Sequence, residues 1–168
     1  MNPSIRTTLL EALKNNETDL LTFLEDFSEA DFFKKQSDLV WSMAEILEHI
    51  ILTEAYVVKK LKSCTPSEGG ISSRHPNGKV EYLVLDRNRK VPAPEVLVPK
   101  GKYKTKQVAI ETFQEVRATS NKFLTDLRTP LVEIGFPHFT LGMLNGENWM
   151  TFVPAHCERH RKQMMELG

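Results

Sequence analysis

The sequence is poor in the features that mark specialised protein classes. It holds only two cysteines, Cys64 and Cys157, too few for a disulfide framework, so a reducing, cytoplasmic setting is expected. An excess of either charge is also missing, because 22 Lys and Arg balance 22 Asp and Glu. Duplex-binding proteins carry a basic excess or stripe, and no nucleic-acid partner is expected. No apolar run approaches the roughly 20 residues that cross a bilayer, which argues against a membrane partner. Met1-Asn2-Pro3-Ser4 leads into a charged amphipathic stretch rather than the apolar core of a secretory signal. Internal repeats and low-complexity tracts are absent. What is there is 168 residues, 40% hydrophobic and 26% charged, the size and composition of one domain spanning residues 1–168.

Helical periodicity recurs in four stretches. From about Pro3 to Phe27, Ile5, Leu9, Leu13, Leu20, Leu24 and Phe27 form an intermittent apolar stripe. Residues 28–40 read as a turn-rich connection with room for a short helical piece. Ser42-Met43-Ala44-Glu45 is a capping-box pattern, in which hydroxyl and carboxylate satisfy orphan amide donors reciprocally. The helix it starts should reach about Ser63, with Ile46, Ile50, Val57 and Leu61 inward, and Pro66 and Gly69-Gly70 end it. The third helix runs from a Thr105 cap to about Arg128, with Ala109, Phe113, Val116, Ser120, Phe123 and Leu127 spaced as a bundle seam. The fourth follows an Asn145 cap to about Leu167, and Pro154 predicts a kink near Met150 or a late helix start.

Residues 64–104 are punctuated by proline and glycine, and the run from Val80 to Leu85 reads as a short strand or extended chain. Antiparallel helix neighbours need only short loops, so a connection this long implies a chain that crosses the bundle. The expected fold is all-α: a four-helix bundle with one long crossover connection between helices two and three.

Five histidines carry the chemical interest. His156 and His160 are four apart on the fourth helix, so both project from one face. That face also holds Trp149, Val153 and Met164 and therefore points inward. His49 lies beside the buried stripe of the second helix. Two imidazoles one turn apart plus a third from a facing helix make a three-nitrogen set for a divalent metal, with a coordination position left open. The same residues also read as hydrogen-bonded core histidines. A zincin arrangement is excluded by spacing: in His156-Cys157-Glu158-Arg159-His160 the carboxylate falls two positions after the first His, roughly 200° around the helix. Cys157 points off the ligand face and reads as a structural or surface thiol, and Cys64 carries no motif. His138 follows Pro137 in a loop that could approach the bundle end, whereas His75 beside Pro76 reads as surface. Thr53 and Tyr56 follow His49 by one and two turns, and would line its cavity or simply pack. Arg117, flanking the third seam, would meet an anionic substrate group or pair with a carboxylate.

These residues resemble the DinB-like (YfiT-like) metal-dependent enzymes. The run from Trp41 through Ser42, Glu45 and Leu47 to His49 is similar to that family's Trp-Ser/Thr-x-x-Glu-x-Leu-x-His helix start. Ala93-Pro94-Glu95-x-Leu97-x-Pro99-x-Gly101 in the crossover and Phe113-x-x-x-Arg117 follow in the family's order. Leu141-Gly142 through Trp149 to His156-x-x-x-His160-x-x-Gln163 resembles its closing helix, although Pro154 lies outside the pattern. The resemblance implies a four-helix bundle holding a divalent metal on His49, His156 and His160. Family members with known activity include thiol transferases, which join a low-molecular-weight thiol such as bacillithiol or mycothiol to an electrophile, and related isomerases.

The reading that follows is a metal-dependent enzyme, a thiol S-transferase or a hydrolase, acting on a small-molecule substrate. Its cofactor would be a divalent ion, zinc or nickel, with a low-molecular-weight thiol as cosubstrate. Substrate contacts would fall on Thr53, Tyr56, Arg117, His138 and Trp149. The alternative is a non-catalytic bundle in which metal pins helices two and four and the chain binds a ligand or partner. A homodimer through the amphipathic first and third helices is compatible with either.

Overall fold

The computed structural model describes residues 3–167. Its helices are α1 (Pro3–Glu25), α2 (Glu29–Phe33), α3 (Met43–Lys62), α4 (Asn77–Leu85), α5 (Lys106–Asp126) and α6 (Gly146–Met165), with strands β1 (Gly135–His138) and β2 (Gly142–Asn145) before α6. Helices α1, α3, α5 and α6 form a bundle in which α1 and α3 each pack against both α5 and α6. Local chemistry sets the helix starts. Ser42 and Glu45 exchange side-chain bonds with each other's backbone amides, and Ser28 and Asp31 do the same for α2. Thr105 and Asn145 cap α5 and α6.

Three elements differ from the sequence expectation. Val80 to Leu85 is helical rather than extended, because Val80 and Val84, one turn apart, bury a single face while α4 packs on α6. Residues 135–145 form an antiparallel hairpin pairing His138 with Gly142. Its three-residue loop closes on Gly142 at φ 75°, a left-handed position suited to glycine. Helix α6 begins at Gly146 and continues unbroken past Pro154, so the proline does not mark a late start.

The core divides into two apolar clusters. One gathers Leu9, Leu13, Val57, Leu61, Phe123 and Val153. The other gathers Leu20, Leu24, Ile46, Ile50, Phe113 and Met164. Between them lies a polar layer whose centre is Arg117, with side-chain exposure of 0% against 2% for its partner Glu54. Its Nε and Nη2 donate to the Glu54 carboxylate, Nη1 to the Leu13 carbonyl and Nη2 also to Asn16 Oδ1. The Ser120 hydroxyl donates to Glu54 Oε1 at 2.6 Å. Of the two readings of Arg117, the carboxylate pair is the one found and the substrate contact is corrected: the guanidinium is fully buried and ties α1, α3 and α5 together. The buried seam of α5 moves with it, taking Arg117 and Leu124 inward, whereas Val116 and Leu127 are only partly buried.

Removing one member of such a pair strands the other charge in a dry interior. Arg117→Met should lower unfolding free energy by about 3–5 kcal/mol, and adding Glu54→Leu should restore much of the loss. Urea unfolding of the three proteins checks this; a single variant as stable as wild type would contradict it.

Candidate metal centre and its cavity

Glu54 turns toward α5, and His49 lies five residues earlier on α3, roughly 140° around the helix at 3.6 residues per turn. That rotation aims His49 at α6, where His156 and His160 share a face. His156 Nε2 sits 3.2 Å from His49 Nε2 and 3.1 Å from His160 Nε2. One ligand nitrogen from each ring lies within 4.8 Å of the others.

The outer nitrogens fix the tautomers of two rings. His49 Nδ1 is 2.7 Å from the Leu97 carbonyl oxygen, which can only accept, so Nδ1 carries the hydrogen and Nε2 the lone pair. His160 Nδ1 stands likewise 2.8 Å from Gln163 Oε1. Two lone pairs thus face His156 Nε2, and a single N–H there satisfies only one of them. Burial pushes the pKa of His49 below its usual value. Burial, then the neighbouring His160 and His49, pushes His156 well below. His160 falls to about 3 through burial and the nearby His49. Neutral nitrogens converging on one point, with the far sides of two rings bonded to oxygen acceptors, are a donor set that suits a divalent cation. The residues present fit such an ion.

The support around the ligands is itself buried. Leu97 belongs to a short turn, Glu95–Leu97, in the long connection between α3 and α5. Buried Glu48, adjacent to His49, anchors that connection by accepting from the Lys100 and Lys102 amides at 2.9 Å each. Glu48 was not foreseen, because an isolated carboxylate beside a histidine has no pattern that announces two amide partners fifty residues away.

The three rings open onto a cavity of about 590 Å³, which Thr53, Tyr56, His138 and Trp149 also line and Arg117 does not. Phe136 stacks on Trp149 with centroids 4.2 Å apart, and the Trp149 indole N–H donates to the Phe136 carbonyl. Phe152 packs against His156. Among the described residues, Thr53 Oγ1 is buried with no hydrogen-bond partner. His138 Nδ1 accepts from the Thr140 and Leu141 amides at 3.1 and 3.2 Å, so the neutral ring carries its hydrogen on Nε2. Burial and the charge of Arg89 lower its pKa to about 4. Cys157 points off the histidine face of α6 into the second apolar cluster, with 0% exposure. Burial raises its thiol to about 12 despite the Arg117 charge nearby. Cys64 is half-buried beside the Lys60 and Gly135 carbonyls.

One wall of the cavity had no counterpart in the sequence reading. Arg87, Arg89, Lys90 and Arg159 all border it. The signal available was the basic run Arg87-Asn88-Arg89-Lys90 in a chain of zero net charge, and its place at the site depends on α4 docking against α6.

Bundle and side chains together define a helical protein with a three-histidine pocket. The model of the DinB superfamily matches residues 12–164, and the chain belongs to that superfamily. It is 26% identical over 154 residues to the uncharacterized protein YuaE of Bacillus subtilis (strain 168), covering 90% of this chain and 93% of that one. The fold is similar to the crystal structure of TT2238, a four-helix bundle protein, with TM-score 0.51, 20% identity, and 96% and 98% of the two chains covered. No helix among the described residues is long and apolar enough to cross a membrane.

The depressed histidines set a pH dependence for the metal-free protein. Below about 6.5 the unfolded chain takes up protons that the folded rings refuse, so stability falls as pH falls. For His138 that loss continues down to about pH 4, where the folded ring itself protonates. With chelator present, the urea midpoint should drop between pH 7 and pH 5, and His156→Gln should flatten the drop. A midpoint independent of pH over that range would contradict the burial of neutral rings.

Proposed function

We propose that this protein is a metal-dependent enzyme, holding a divalent ion, zinc or nickel, on His49, His156 and His160. Its reaction is thiol S-transfer to a small electrophile, with hydrolysis of a small molecule as the second possibility. The observation that carries the reading is the convergence of Nε2 atoms 3.1 and 3.2 Å apart, with two rings oriented by Leu97 and Gln163. The chemistry supplied by a bound divalent ion is acidification of a thiol or a water molecule.

The chain's own residues do the rest. The Leu97 carbonyl and Gln163 Oε1 hold His49 and His160 in the ligating tautomer. The His138 Nε2–H and the unpartnered Thr53 hydroxyl offer polar contacts to a substrate in the cavity. Trp149, Phe136 and Tyr56 supply an apolar wall that displaces water from it. The connection between α3 and α5, as a crossover over the bundle, contributes the wall that sets specificity. A purely structural metal is normally closed by four protein ligands. Among the described residues the cluster holds three, and His138 Nδ1 is occupied by two amides, which supports the enzyme over the non-catalytic bundle.

Elemental analysis of untagged protein should find near-stoichiometric divalent metal, absent from His160→Ala. Gln163→Ala should keep the fold and weaken metal retention against a chelator by about 10–100-fold. Metal-loaded wild type should consume a thiol in the presence of an electrophile, and His49→Ala should not. Undetectable metal after reconstitution would overturn the reading, as would turnover unaffected by His49→Ala.

A further inference from the structure

Among the described residues, the side chains bordering the cavity include Arg87, Arg89, Lys90 and Arg159 but no aspartate or glutamate. In a chain with equal numbers of acidic and basic residues, this is a marked local excess. The four cations divide by role. Arg159 donates to the carbonyls of Val84, Asp86 and Arg89, clamping the end of α4 onto α6. Arg87 donates to both oxygens of Glu166 and to the Arg159 carbonyl. Those two are held by the protein. Arg89 and Lys90 are exposed at the mouth, and no acidic side chain pairs with either among the described residues.

The field of this group is felt locally. After burial, the charge of Arg87 and, less strongly, that of Arg89 depress the Arg159 guanidinium against the opposing charge of Asp86, and Arg89 also lowers His138. Another part of the lining is apolar, built by Phe136 and Trp149. A ligand that matches both kinds of lining has an aromatic or aliphatic body and a fixed negative group.

We propose that this cavity selects small anionic substrates, such as carboxylates or sulfonates with an apolar body, and that Arg89 and Lys90 receive the anionic group. The inference rests on the cavity being the substrate site of the enzyme proposed above, and it adds the substrate's charge class. Electrostatic selection at the mouth also raises the local concentration of such ligands.

The test uses two dyes of nearly the same shape, anilinonaphthalene sulfonate and its uncharged analogue phenylnaphthylamine. Trp41 and Trp149 are the chain's two tryptophans and both line the cavity, so energy transfer from tryptophan to dye reports occupancy there. Metal-loaded wild type should bind the sulfonate more tightly than the neutral dye. Arg89→Gln/Lys90→Gln should weaken sulfonate binding at least about fivefold while leaving the neutral dye unchanged. Added salt should weaken only the sulfonate. Equal affinity for the two dyes, no transfer to the sulfonate, or an unchanged ratio in the variant overturns the proposal. Metal content is measured on the same samples. A chain without metal that still prefers the sulfonate overturns the metal reading alone, and a metal-loaded chain without the preference overturns this one alone.

Discussion

A fully buried guanidinium–carboxylate pair governs the geometry of this bundle. Arg117 and Glu54 must satisfy each other and their remaining lone pairs and protons inside the core, because neither charge can be left alone there. The solution draws on α1 through Leu13 and Asn16, and on α5 through Ser120. Fixing Glu54 toward α5 fixes the rotation of α3, which leaves His49 and Thr53 facing α6. A polar layer within one side of the helix thus orients the imidazole on the other.

That rotation has consequences along the whole opposite face. His49 meets a helix whose two histidines are already one turn apart, and its far nitrogen finds the Leu97 carbonyl. The carbonyl is where it is because Glu48 holds the same connection by two amides. Adjacent residues of α3 therefore supply one nitrogen of the cluster and the anchor of that ring's support. The cavity beyond is closed by pieces of different origin: the hairpin before α6, α4 and the basic segment after it, and the aromatic side of α6 itself.

The parts legible in the sequence were those with local causes. Capping residues at Ser42, Thr105 and Asn145 announced the helix starts, and the four-residue spacing of His156 and His160 placed them together without a structure. The failures share a different cause. Val80 to Leu85 has β-branched residues and follows a proline, so its local preference reads as extended, and only docking on α6 makes the helix worthwhile. The hairpin is too short for periodicity to reveal. For Arg117 the carboxylate pair was one of two readings, and nothing local chose it because the partner, Glu54, sits 63 residues away. The basic wall was invisible for the same reason, since Arg87 and Arg89 come near His160 and His138 only after α4 has docked.

His49 and His156 are separated by 107 residues, and every contact of His49 with the α6 rings is long in sequence. Local helices form early and cheaply, whereas pairings of this span wait until most of the chain has been ordered. A chain caught before α6 docks therefore has helical content and half a core, yet no cluster of nitrogens. The three-nitrogen cluster is thus complete only when α3 and α6 have docked, and its presence reports that the most distant parts of the chain have met.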